Sequence, residues 1–582
     1  MNILGINVFH YDASSCLIVD NKIVAAIEEE RFQRIKHYSD FPIMSLKHCL
    51  DTQNLKLEDI DYIAVNYNRK HNFFEKIDYS LDQLNNINIY KRLYKHFKSS
   101  SLEKIIENNL NQKFHGEICY VPHHTAHIAS SFYISEFESA IGLSIDGTGD
   151  FSSMEVFTCE KNQITLREKV NFPHSIGILY QSITQLLGFK EYGDEYKVMG
   201  MSAYGKPIYL SKFDELFKFD PPYNFTLDQS FFNLDSLHSP LNLKNITNHP
   251  NLYSDKIFNL FEMSSIEDEK DEQKIYDIAS SLQKFLELIV MKLVRNLHIE
   301  YDIKNLCLSG GVIFNSALAG KLSKEFSNTN FHISTNSGDA GGALGAALFT
   351  SLIKNKNQKK ITRYQFTPFL GTEYSESYIL DIIKNDQNFS HKLNFKIYEN
   401  EEELLRVGVE LLINESLILW FQSKMEWGPR ALGNRSFLAD PRIKDIKELI
   451  NSKIKLREKF RPFAPSIIKE YADDYFFLMK NVNYNYMTYT VDAKEKAKKE
   501  LPGVVHVDGT SRIQTVTKEF NKIYYNFLMK FYEQTDCPAL LNTSLNIKEP
   551  IVESPINALN TFLQSDVKTF IIGKIIIRKN DR

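Results

Sequence analysis

His123, His124 and His127 stand in the run HHTAH, immediately after Pro122. Pro122 stops the preceding strand, and HHTAHIASSFYIS then reads as a helix. On that helix His123 and His127 are four residues apart, so their imidazoles leave one face a turn apart. Two such nitrogens can hold one metal ion, and carboxylates from other elements can close the site. Asp146 in IDGTGD and Asp339 in NSGDAGGALGAA are the candidates. Each follows a short apolar run (AIGLSI, FHIST) that breaks into a glycine-rich turn, and a strand-end aspartate there faces a cleft. The plainer alternative is that one histidine caps its helix and the other packs. The two glycine-flanked aspartates weigh against it.

A second chemistry lies later in the chain. Arg430, Arg435, Arg442, Lys455, Arg457 and Arg461 fall within EWGPRALGNRSFLADPR and KIKLREKFRPFAPS. Guanidinium groups bind phosphate oxygens in bidentate fashion, and several together suit a triphosphate or two anions. Runs of charge usually form a solvated face. Here Gly428, Pro429, Pro462 and Pro465 fix the backbone between the cations, which favours a built site. Arg512, on a strand in DGTSRIQTV, and Asn542, after an apolar strand in LLNTSLN, extend the same set.

The elements that must position these groups repeat. Residues 3 to 30 read strand, polar turn with Asp12, strand, tight turn at Asp20-Asn21, strand. Residues 140 to 170 read strand, turn GTGD, strand, turn at Glu160-Lys161-Asn162, strand. Apolar strands joined by short Asp/Asn/Gly turns are hairpin signals. A unit occurring twice predicts two related α/β lobes facing a cleft. In NLCLSGGVIFNSALAGKL a buried strand, a Gly310-Gly311 turn and a helix from FNSALAGKL let a ligand approach the backbone. This layout is similar to the actin, Hsp70 and sugar-kinase superfamily, where two hairpins clamp the phosphates and the glycine-rich turn carries the adenosine. KNKNQKKITRYQ, basic and glycine-free, reads as a connection. The expected domains are therefore 1–355 and 371–582, with a linker at 356–370. The second opens with a helix (EEELLRVGVELLIN) and a strand (SLILWFQ).

Composition narrows the partners. The 582 residues are 43% hydrophobic and 24% charged, as in ordinary globular proteins, with a formal net charge of −4. That balance gives no reason to expect nucleic acid or an acidic membrane. The chain enters a strand at once, without a basic n-region, and no apolar run approaches the roughly 18 residues of a membrane span. The six cysteines are scattered, with no Cys-x2-Cys pair, which fits a reducing cytoplasm.

ILGIN, DAS at 12–14, EEERFQRIKH, HHTAH, DGTGD, SGGVIFN, GDAGGALGAA, EWGPRALGNRS, REKFRPFAPS, VDGTSRIQTV and LLNTSLN together carry a resemblance spanning nearly the whole chain. The sequence resembles the ATP-dependent O-carbamoyltransferases that decorate antibiotics and nodulation factors. The resemblance implies an actin-like N-terminal domain and a C-terminal domain like the twisted open α/β sheet (YrdC-like) that makes threonylcarbamoyl-AMP. It implies two stages. Carbamoyl phosphate and ATP, with Mg(2+), would give carbamoyl-AMP in the C-terminal domain. The N-terminal domain would pass the carbamoyl group to a hydroxyl of a small metabolite or sugar. Arg430, Lys455, Arg461, Arg512 and Asn542 match positions for ATP and carbamoyl phosphate. Lys36, Gly177, Gly311 and Asn315 match positions around the carbamoyl adenylate. His123, His127, Asp146 and Asp339 match the metal ligands, with iron, Fe(2+), as the ion. The implied setting is natural product biosynthesis in the cytoplasm, and a homodimer is allowed.

Two departures stand out. The family's histidine before the turn aspartate is Tyr11 here, with His10 one position earlier. Neighbours on a strand point to opposite faces, so His10 can replace it only if the turn is remodelled. The acceptor base is therefore open among His10, Asp12 and Asp146. NTSLNIKEPIV is one residue shorter than the usual pattern and lacks its glycine. The divergent stretch 66–115 is expected to involve the acceptor pocket. Competing readings are a fused threonylcarbamoyl-transfer enzyme acting on tRNA, which the acidic balance opposes, and a non-catalytic actin-like ATP-binding regulator, which leaves the cations without a role. A metallopeptidase would need His-Glu-x-x-His, which is absent.

Overall fold

The computed structural model describes residues 1–68, 70–82, 101–234, 251–263, 271–355 and 363–580. Residues 356–362 of the expected linker, and residue 69 and residues 83–100 of the stretch expected near the acceptor, lie outside them. The chain forms two compact units. The first is Met1–Glu30, His37–Leu318 and Glu325–Phe366; the second is Arg31–Lys36, Ala319–Lys324 and Thr367–Arg582.

The first unit is built on two five-stranded sheets. Strands β1 (Asn2–Asn7), β2 (Ser14–Val19) and β3 (Lys22–Glu28) form an antiparallel meander, and β4 (Tyr62–Val65) and β5 (Glu117–Tyr120) add in parallel, giving the order β3-β2-β1-β4-β5. The second sheet uses β6 (Ser139–Gly149), β7 (Ser152–Glu160) and β8 (Gln163–Asn171). A small hairpin, β9 (Phe217–Asp220) and β10 (Asn224–Leu227), stands apart. Strands β11 (Asn305–Ser309) and β12 (Asn330–Ile333) then complete the order β12-β11-β6-β7-β8. The same connectivity occurs twice, which is the repeat legible in the sequence.

Two buried helices position the histidines and one aspartate. In His123–Phe132 every residue is buried, and it packs against Gly341–Lys354, whose Leu344, Leu348 and Leu352 are also buried. Burying each such leucine contributes about 2 kcal/mol. The second helix begins two residues after Asp339, so its packing fixes that carboxylate beside the first.

Two expectations need correction. Asp146 does not end its strand. β6 continues to Gly149 through a bulge after Ile145, and the chain reverses at Asp150-Phe151, both with positive φ. A bulge re-aims a side chain inside a strand, so the aspartate faces the site without a turn. The helix after Gly310-Gly311 starts at Ser316, because a 3-10 turn occupies Gly311–Phe314.

The second unit holds an eight-stranded mixed sheet, the open α/β sheet expected. Its strands are β13 (Leu393–Ile397), β14 (Leu417–Phe421), β15 (Arg435–Ala439), β16 (Ala464–Ile468), β19 (Gln514–Val516), β20 (Ala539–Ser544), β21 (Thr569–Ile572) and β22 (Ile575–Lys579), in the order β13-β22-β21-β14-β15-β20-β16-β19. Between them, β17 (Thr490–Asp492) and β18 (Thr510–Arg512) form a separate pair. LILWF and RSFLA are buried throughout, as central strands covered on both faces must be.

Candidate metal centre and anion site

In the first unit, His123, His127, Asp146 and Asp339 bring one ligand atom each within 4.8 Å of one another. The two Nε2 atoms are 3.0 Å apart. Asp146 Oδ2 lies 3.6 Å from His123 Nε2 and 3.0 Å from His127 Nε2, and Asp339 Oδ1 lies 3.5 Å from each. Four ligands about 2.1 Å from one ion would stand about 3.4 Å apart. The residues therefore fit a metal: two imidazoles and two carboxylates converge at the edge lengths of a coordination tetrahedron. Burial opposes charge on His127, yet Asp146 and Asp339 outweigh it and lift its pKa to about 9. Burial likewise opposes ionisation of Asp146, but His123 and His127 hold it well below the usual carboxylate range. The proton on His127 balances the two carboxylates, and a bound cation, which needs both imidazoles neutral, would take that proton's place.

The surroundings aim these ligands. The His123 backbone N–H donates to Asp150 Oδ2 at 2.9 Å, which anchors the helix start. A Cβ on Gly149 would stand 2.0 Å from His123 Cδ2, so only glycine leaves room for that ring. His124 takes no part in the cluster. It is buried with Nδ1 2.7 Å from Ser144 Oγ and Nε2 3.1 Å from the Ser152 carbonyl oxygen.

The turn between β1 and β2 has a left-handed backbone at two positions. Phe9 and Asp12 both have positive φ. His10 Nδ1 consequently sits 3.3 Å from Asp339 Oδ2, and its ring lies edge-on to His123 at 5.5 Å. Tyr11 turns away and stacks on Tyr192 at 3.9 Å, its hydroxyl pushed up to about 12 by burial and by Asp12. Asp12 accepts a hydrogen bond from His37 Nδ1 at 2.7 Å. Glu30 lies with this pair, and its Oε2 accepts the His37 backbone N–H at 2.8 Å. Gly177 packs on the Asp146 backbone, and a Cβ on Gly311 would come 3.0 Å from Asp146 Oδ1. Asn315 is engaged by two helices: Oδ1 accepts the Leu318 N–H of Ser316–Glu325 at 3.0 Å, and Nδ2 donates to Gln283 of Glu272–Glu300 at 2.8 Å.

In the second unit, burial and then the charges of Arg430, Arg457 and Arg461 push Arg512 well below its usual pKa. Burial, then Arg457, Arg461 and also Lys36, do the same to Lys455. These groups therefore stand close enough to repel one another, an arrangement that an anion relieves.

The amino-acid sequence matches two family profiles, carbamoyltransferase N-terminus over residues 2–348 and carbamoyltransferase C-terminus over residues 409–579. The chain belongs to the carbamoyltransferase family. It is 32% identical to nodulation protein NolNO of Sinorhizobium fredii, over 98% of this chain and 80% of that protein. It is 34% identical to nodulation protein NolO of Bradyrhizobium diazoefficiens, over 78% of each. An uncharacterised protein of Synechocystis is 32% identical over 99% of this chain and 97% of its own length.

Within this carbamoyltransferase, two cations expected at the anion site are structural. Arg435 is fully buried, donates to the carbonyls of Gln422, Ser423 and Thr372, and lies 3.5 Å over the Phe421 ring. Arg442 is paired with Asp440 through both oxygens. Of the residues that suggested a rigid site, Gly428, with φ +114°, and Pro429 lie within the turn that Arg435 ties together. Lys455 and Asn542 are partly committed as well. Lys455 Nζ donates to the Ser544 carbonyl and to Asn546, clasping the shortened loop. Asn542 Nδ2 has Ala431, Ser466 and Gln514 as acceptors, leaving buried Oδ1 without a hydrogen-bond partner. Sequence reasoning missed His37, Glu30 and Asp150. The first two lie in EEERFQRIKH, where the signal was present, but no period or spacing tied His37 to Asp12.

Proposed function

We propose that this carbamoyltransferase makes carbamoyl-AMP from carbamoyl phosphate and ATP, then transfers the carbamoyl group to a hydroxyl of a small metabolite or sugar. What carries the reading is the separation of two chemistries. A mutually repelling cation group lies in the second unit, and a His/Asp group that could hold a metal ion lies in the first. In the first stage water cleaves carbamoyl phosphate to carbamate and phosphate, and a carbamate oxygen then attacks the α-phosphorus of ATP, releasing pyrophosphate. Arg430, Arg461 and Arg512 bind the anions, with Asn542 Oδ1 as an acceptor beside them. In the second stage the acceptor oxygen bonds to the carbamoyl carbon, the bond to AMP breaks, and the acceptor proton passes to a base. His123, His127, Asp146 and Asp339 would hold the metal, Fe(2+) by family resemblance, which when bound supplies Lewis-acid neutralisation of the adenylate phosphate. Gly177, Gly311 and Asn315 line the adenylate in this reading. His10 has its ring nitrogens buried, with Nδ1 3.3 Å from Asp339 Oδ2, beside the metal ligands, so Asp12 is the better candidate for the base.

A cytoplasmic setting is part of the proposal. All six cysteines are free, and no described helix is long and apolar enough to cross a membrane. The test separates the stages. Arg512→Ala removes a charge-assisted contact worth about 1.5 to 3 kcal/mol and should stop carbamoyl-phosphate-dependent pyrophosphate release while sparing transfer from supplied carbamoyl-AMP. His127→Ala should do the reverse. Equal loss of both activities in both variants would refute the two-site reading.

A further inference from the structure

The loop between β1 and β2 holds Asp12 more firmly than a surface turn requires. Its backbone is left-handed, with φ +59°, a conformation that costs a residue with a side chain of the order of 1 kcal/mol. The buried Asn7 side chain donates through Nδ2 to the carbonyls of Tyr11 at 3.0 Å and Asp12 at 2.7 Å. The Ala13 N–H donates to the Tyr38 carbonyl, and the Glu29 N–H donates to the Ala13 carbonyl, both at 2.8 Å. The segment carrying His37 is thereby strapped to this loop.

His37 is over-determined in the same way. Its φ is +53°, and its N–H is held by Glu30. Its Nδ1 meets Asp12 Oδ1 at 2.7 Å, a short side-chain contact between two residues with left-handed backbones. The opposite edge of the ring is seated on Gly193. A Cβ there would stand 2.3 Å from Nε2 and 2.5 Å from Cε1. That seat leaves Nε2 badly placed to meet a substrate and fixes Nδ1 toward the carboxylate. Strain kept at two joined residues marks a positioned group rather than a loose turn.

We propose that His37 is a positioning residue for the transfer step, whose Nδ1–H fixes the Asp12 carboxylate so that its other oxygen faces the acceptor hydroxyl. The inference rests on the carbamoyl-transfer reading above, and within it supplies what Tyr11 cannot. Asp12 Oδ2 takes the acceptor proton as the acceptor oxygen bonds to the carbamoyl carbon and AMP leaves. The proton then passes from Asp12 to solvent. His37 keeps its Nδ1 proton throughout and neither gains nor loses charge.

Two substitutions isolate the hydrogen bond. His37→Gly and His37→Asn both accept a left-handed backbone, and they differ in that the asparagine Nδ2 can stand in for the imidazole Nδ1–H. The probe is supplied carbamoyl-AMP with glycerol in water, read as AMP release, which counts transfer to any hydroxyl including water. Loss of a group that orients a reacting side chain lowers turnover by about 10- to 100-fold, and His37→Gly should show that with KM for carbamoyl-AMP unchanged. His37→Asn should recover most of the rate. A wild-type rate in His37→Gly, or a His37→Asn enzyme as slow as His37→Gly, would overturn the proposal. Wild-type enzyme that releases no AMP would instead count against the carbamoyl-transfer reading. The hydrogen bond is then read from histidine side-chain nitrogen-15 spectra. A His37 ring carrying its proton on Nδ1, perturbed by Asp12→Asn, supports the proposal, and a proton on Nε2 overturns it.

Discussion

Arg435→Met should unfold the second unit rather than weaken substrate binding. The guanidinium donates to the Gln422 carbonyl at 2.6 Å, to Ser423 at 3.1 Å and to Thr372 at 3.0 Å. Each hydrogen bond from a charged group contributes about 1.5 to 3 kcal/mol. The approach to the Phe421 ring adds about 2 kcal/mol in a dry setting. Against this, burial pushes Arg435 down to about 10, a desolvation cost of about 3 kcal/mol. Methionine keeps the apolar stem but strands the three carbonyls, so the net loss should be about 4 kcal/mol, within the range for breaking a buried charge network. The assay is urea denaturation followed by tryptophan fluorescence. Both tryptophans, Trp420 and Trp427, are fully buried in this unit, so the signal reports it alone. The midpoint should fall sharply, while KM for carbamoyl phosphate in the folded fraction stays put. An unchanged midpoint with KM raised at least about tenfold, the cost of a lost 1.4 kcal/mol contact, would return Arg435 to the anion site.

Asp146→Asn should lower bound divalent metal on elemental analysis by at least about tenfold in affinity, with carbamoyl-AMP formation intact, because it removes one of four converging ligands. Full metal occupancy would show that the His/Asp group is an internal ion-pair network. Glu195→Gln should stabilise the protein at pH 8 and not at pH 4. Burial, with Asp194 and Asp12 adding to it, raises the Glu195 carboxyl to about 7 from an unfolded value near 4.5. Between those values the folded state binds more protons than the unfolded one, so stability falls as pH rises through the window and levels above it. The ceiling is about 3 kcal/mol, read from denaturation midpoints across pH. A pH-independent difference would refute the burial argument.

The fold was legible where local signals and topology agree. Both meanders declared themselves by short turns at Asp20-Asn21 and Glu160-Lys161-Asn162, and the structure closes them there. His123 and His127 were legible because helical period alone puts them on one face. Asp146 was identified for an incomplete reason, since a bulge rather than a turn aims it. Arg435 was misjudged because sequence shows charge and neighbours, not whether a guanidinium finds carbonyls or phosphate. The Asp12–His37 contact joins residues 25 apart, through a left-handed backbone at both ends. No periodicity announces such a pair, and it becomes visible only when β1, β2 and β3 are placed side by side.

The central claim is that a carbamoyl adenylate formed in one site is consumed in another. Its most direct measurement is to incubate His127→Ala enzyme with ATP and carbon-13 carbamoyl phosphate, quench in acid-free solvent, and assay carbamoyl-AMP and pyrophosphate by mass spectrometry. The account predicts labelled carbamoyl-AMP accumulating in step with pyrophosphate, then falling to AMP when wild-type enzyme is added. Formation of ADP with no pyrophosphate, or pyrophosphate without labelled adenylate, would contradict it.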